Sequence, residues 1–141
     1  MANAPDLDVK KAWKAKWDTH SELVDAFTGK LHSGRIPKDT PFPRAQLSTK
    51  EDRPAQFSTG GVFVDYRRVC VVIQALTEEK VGELVGLVKG KFDEQALTID
   101  NAAWIRTEPK TVETAQEDQT KGGESYWRAK VEWCVWNQRS V

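Results

Sequence analysis

Fifteen consecutive residues, 62–76 (Val62-Phe63-Val64-Asp65-Tyr66-Arg67-Arg68-Val69-Cys70-Val71-Val72-Ile73-Gln74-Ala75-Leu76), contain neither glycine nor proline and are dense in β-branched and aromatic side chains. Such a run can bury itself only as a long strand. From Val69 the odd positions are Val69, Val71, Ile73 and Ala75, and the even positions are Tyr66, Arg68, Cys70, Val72 and Gln74. One face is therefore dry and the other mixed, the signature of a sheet covered on one side. Arg67 interrupts the dry series and predicts a bulge or an exposed strand end there. Residues 125–136 alternate in the same way. Trp127, Ala129, Val131, Trp133 and Val135 lie on one face, and Tyr126, Arg128, Lys130, Glu132, Cys134 and Trp136 on the other.

The remaining segments supply helices to cover the dry face. Val9, Trp13, Trp17, Val24 and Phe27 recur at steps of three, four and seven, which predicts a helix over 6–28 with Asp6 or Asp8 as cap and Gly29 as stop. Thr77-Glu78-Glu79 opens a second helix over 77–92, with Val81, Leu84, Val85, Val88 and Phe92 on its apolar stripe. Gly82, Gly86 and Gly90 recur every four residues on this helix, which predicts close packing of that side against the sheet. Prolines 37, 41 and 43 limit residues 28–48 to short extended pieces, near 31–33 and 42–48. Residues 49–60 read as a hairpin-like connection. Residues 103–136 hold the C-terminal strands, with Pro109 ending the first of them and an extended polar loop over 110–123. The expected fold is α+β: a two-layer sandwich of a mostly antiparallel sheet with two amphipathic helices on one face. With 141 residues, the chain is expected to form a single domain over 1–141.

Composition and spacing remove most chemistries. Lysine plus arginine number 21, as do aspartate plus glutamate, so no global field draws nucleic acid or an anionic membrane. No apolar run reaches membrane-spanning length, and the start Met1-Ala2-Asn3-Ala4-Pro5-Asp6 lacks the apolar core of a signal peptide, so the expected site of synthesis is a cytosol. Cys70 and Cys134 both fall inside apolar runs and read as buried thiols. His20 and His32 have no ligand or nucleophile at useful spacing, so neither a metal site nor a catalytic pair is expected. The segment Gly29 to Ile36 lacks the Gly-Lys-Ser/Thr ending of a phosphate loop. The acid pairs Glu78-Glu79, Asp93-Glu94 and Glu117-Asp118 read as solvated surface. No catalytic residue, cofactor or metal is assigned, and no sequence-specific contact with nucleic acid is expected.

The second sheet face asks for a partner. Aromatics interleaved with arginine match a protein–protein contact better than solvent or core, and no third helix is legible to cover them. Six tryptophans strengthen the case, because this residue favours cores and interfaces.

The order of elements resembles the small tail-terminator or tail-completion proteins of long-tailed bacteriophages and related prophage-derived particles. Four features carry the resemblance: the leading helix ending near Phe27; Gly34-Arg35-Ile36-Pro37 followed by Pro41-Phe42-Pro43-Arg44-Ala45-Gln46-Leu47, similar to that family's R-I and P-x-P approach to its first strands; the long strand running directly into the helix 78–92; and the final strand 126–135 after a variable loop. The resemblance implies a non-enzymatic virion subunit, in the tail or neck, that forms a ring, typically a hexamer. It would cap the tail tube and join it to the head-side connector. A ring needs two different patches on each subunit. Tyr66, Arg68, Arg128, Lys130, Glu132 and Trp136 are the subunit-interface candidates. Glu113, Glu117, Asp118 and Lys121 are the candidates for contact with the tube or connector, because residues 108–124 carry five acids and two bases. The alternative is a stand-alone α+β protein-interaction or ligand-binding domain, and a small enzyme ranks behind both.

Overall fold

The computed structural model describes residues 5–27, 31–37, 40–50, 57–59, 62–100, 102–117 and 125–140. The long central run forms β4 (Val62–Ala75), and the last run forms β6 (Tyr126–Ser140), which pairs antiparallel with β4 over its whole length from Val62↔Ser140 to Ala75↔Trp127. On the other side of β4 lies β2 (Arg44–Lys50), also antiparallel, and the short β3 (Phe57–Thr59) pairs with the start of β4. The two-residue β1 (His32–Ser33) runs parallel to β2 at one edge. The opposite edge is β5 (Ala103–Glu117), antiparallel to β6, giving the order β1-β2-β4-β6-β5.

Helices α1 (Pro5–Thr19), α2 (Ser21–Ala26) and α3 (Glu78–Phe92) cover one face. Their apolar stripes meet the dry sides of the strands in a core that includes Trp13, Trp17, Leu23, Val81, Leu84, Val88 and Phe92 from the helices. Leu47, Val69, Val71, Ile73, Ala129, Val131, Trp133 and Val135 come from the sheet. The indole of Trp13 stacks on Phe92 at 4.0 Å between centroids and leans on Trp133 at 4.9 Å. The fold is α+β, as the alternation predicts.

Four local expectations are corrected. The helix expected over 6–28 is broken at His20, whose extended backbone (φ −100°, ψ 99°) separates α1 from α2; both halves still point Trp13, Trp17 and Leu23 into one core, so the periodicity survives the break. The loop expected over 110–123 is strand as far as Glu117. Pro109 does not end β5, because an edge strand tolerates a missing N–H and a register shift between Pro109 and Val112 absorbs the misfit. Arg67 causes no bulge: the β4–β6 register is continuous through it, and Arg67 is buried near Asp65 and Asn137 at the end of the dry face. Gly82, Gly86 and Gly90 face outward, with nothing within 4 Å of where a Cβ would stand, so they pack against neither strand.

Candidate assembly surface

The pleat that sends the dry residues toward the helices sends their neighbours to the opposite face, and none of the described helices covers it. Register places the open-face residues in rows. Arg44 lies beside Gln74 and Arg128, Gln46 beside Val72 and Lys130, Ser48 beside Cys70 and Glu132, and Lys50 beside Arg68 and Cys134. Tyr66, Arg68, Arg128, Lys130, Glu132 and Trp136 are all brought onto this face, and all six are half-buried.

Aromatic groups occupy its two ends. Tyr66 and Trp136 are a directly opposed cross-strand pair with ring centroids 5.0 Å apart. At the other end Phe42 and Tyr126 lie 5.4 Å apart, and the Arg44 guanidinium sits 4.3 Å above the Phe42 ring while hydrogen bonding to Gln74 and to the Thr40 carbonyl. Between the ends the face is charged. Glu132 takes Lys130 at 3.2 Å and Arg68 at 3.7 Å. Cys70 and Cys134 are buried on this face, in register with Glu132 and Arg68. Burial pushes the Cys70 thiol above its ordinary range, against the smaller opposing pull of Lys130.

The outer strand β5 differs in sign. On the open face Glu113 lies opposite Lys130 and Glu117 opposite Tyr126, with Glu117 3.6 Å from Arg128. Asp118 and Lys121 lie outside the described residues. Nearer its start, Arg106 bridges Glu94 at 2.6 Å and Glu108 at 2.9 Å, and Lys110 meets Glu108 at 2.7 Å. The hydrogen bond from Arg106 holds the Glu94 carboxyl below the usual carboxylate range, and that from Lys110 does the same for Glu108.

The Asp93-Glu94 pair is not merely solvated surface. Asp93 accepts from the Trp133 indole at 2.6 Å and pairs with Lys89 at 3.0 Å, while Glu94 adopts a positive φ of 57° and donates its backbone N–H to the Thr107 carbonyl. Together they tie the end of α3 to β5 and β6. Sequence reasoning missed this clamp, since two acids after a helix carry no signal of their partners.

The histidines and cysteines stay apart. His20 precedes α2, with its imidazole lowered in pKa by burial and by Lys16 and Lys91. His32 is in β1 at the sheet edge, and both cysteines lie in mid-sheet. Among the described residues no three His, Cys, Asp or Glu side chains gather as a metal site would need, and no helix is long and apolar enough to cross a membrane. An apolar recess of about 280 Å³, lined by Phe42, Pro43, Ala75, Leu76, Thr77 and Lys80, opens at one end of the sheet.

No family model matches the chain. No curated protein matches it either. Among solved structures it is similar to a chain described as "Virion of native gene transfer agent (GTA) particle", with a TM-score of 0.72 over 97% of this chain and 99% of that chain, at 9% identity. The likeness is one of fold along almost the whole length of both chains.

Proposed function

We propose that the chain is a structural subunit of a phage-like virion particle, and specifically a tail-terminator or tail-completion protein. In this reading it forms a ring, of six copies as the resemblance implies, that caps the tail tube and joins it to the head-side connector. The observation that carries this reading is the open sheet face, with its aromatic ends and arginine- and lysine-rich middle. No described helix covers the face, and the aromatic rings and arginines at its two ends are residues that contact surfaces favour. The fold shared with a virion chain and the order of elements in the sequence support the same reading. It assigns no catalytic step, cofactor or metal to the chain.

The alternative is a stand-alone interaction or ligand-binding domain. The recess of about 280 Å³ beside Leu76, near the lower bound of small-molecule sites at roughly 300–1,000 Å³, favours it, with Thr77 and Lys80 as its polar lining. The test is deletion of the chain from a strain that produces the particles, followed by electron microscopy. The expected result is heads and tails that fail to join. Normal joined particles in normal number would overturn the proposal.

A further inference from the structure

Given the ring proposed above, we infer that its subunits meet head to tail through opposite charges. The distal half of β5, residues 111–117, of one copy is seated on the open β2–β4–β6 face of the next. The open side of those three strands carries Arg44, Lys50, Arg68, Arg128 and Lys130 against Glu132 as its single acid. Residues 111–117 carry Glu113 and Glu117 and no base; these two acids, expected from the sequence to meet the tube or connector, are assigned instead to the next copy. The two patches occupy different positions on the open face, Glu113 and Glu117 at its β5 edge and Lys50 and Arg68 beyond β6, and complement each other in sign; the head-to-tail order comes from the ring proposed above.

The shape of β5 fits this role. It is an edge strand whose outer rim meets no other strand among the described residues. Every residue from Lys110 to Gln116 is exposed, so neither the helix layer nor the chain's own side chains cover it, and Val112 is 42% exposed. The two register shifts in β5, at 104/106 and at 109/112, lie before this half and leave 112–117 in regular register with β6. The partners expected across the contact are Lys50 and Arg68, since β4 lies two strands from a copy's own β5 and β2 lies three.

Light scattering on the full-length chain tests the contact. The wild type is expected to form multi-subunit particles that weaken by roughly tenfold or more as salt rises from about 0.05 M to about 0.5 M. Glu113→Lys with Glu117→Lys, on exposed strand, should abolish assembly, as should Lys50→Glu with Arg68→Glu. Mixing the two variants should restore it, because each supplies the patch that the other lacks, giving rings of alternating copies. Assembly of the Glu113/Glu117 variant at wild-type strength and without salt dependence would show that other surfaces form the ring, leaving the ring itself standing. A wild type that stays monomeric at millimolar concentration would remove both this contact and the ring, while the deletion experiment still decides virion membership. If the Lys50/Arg68 variant loses its circular dichroism signal, the Glu113/Glu117 variant and the salt series decide the outcome alone.

Discussion

Phe92 shows how single side chains hold the layers together. Its ring is stacked between the helix layer and the sheet, against Trp13 and near Trp133, and is fully buried. Phe92→Ala should lower stability by about 3–5 kcal/mol in chemical denaturation, because the surrounding indoles cannot collapse into the void. Trp133→Phe keeps most of the packing but removes the N–H that Asp93 accepts; loss of a hydrogen bond to a charged group should cost about 1.5–3 kcal/mol. The carboxylates beside Arg106 and Lys110 give a pH prediction. Glu94 and Glu108 titrate lower folded than unfolded, so their contribution is full above the ordinary carboxylate pKa, about 4.3, and fades as pH falls through the folded values. Carboxyl NMR titration should find both below the ordinary value, and Arg106→Gln should return Glu94 toward it. None of these partnerships is visible in sequence. Trp13, Phe92 and Trp133 can each be assigned to a dry face, but which ring meets which depends on how the helices cross the sheet.

At the scale of elements, α3 carries an untaken stabilisation. Gly82, Gly86 and Gly90 sit in helical conformation with open space where a Cβ would stand. Gly86→Ala should therefore stabilise the free chain by up to about 1 kcal/mol in thermal or denaturant unfolding; a loss of stability would mean that the outward placement of this stripe is wrong. The period of four was legible in the sequence, but its direction was not, because spacing sets which residues share a side and not which side faces the sheet. β4 and β6 were legible for the opposite reason: strict alternation fixes both faces at once. β5 was half legible. Its polar composition and Pro109 read as loop, yet an edge strand needs neither apolar residues nor a full set of N–H donors.

For the whole molecule, the two-layer plan and the bare, mixed second face follow from the alternation of two strands and the count of helices. The tryptophans divide along the same line. Trp13, Trp17 and Trp133 are buried in the core, Trp104 and Trp127 pack against it, and Trp136 alone lies on the open face beside Tyr66. Their abundance therefore serves folding more than contact, and composition by itself could not separate the two uses. The central claim is that the open face is covered in the assembled particle. Hydroxyl-radical footprinting read by mass spectrometry measures this directly at Tyr66, Tyr126 and Trp136. Oxidation of all three is expected in the free chain, with several-fold protection in intact particles. Equal oxidation in both would contradict the claim.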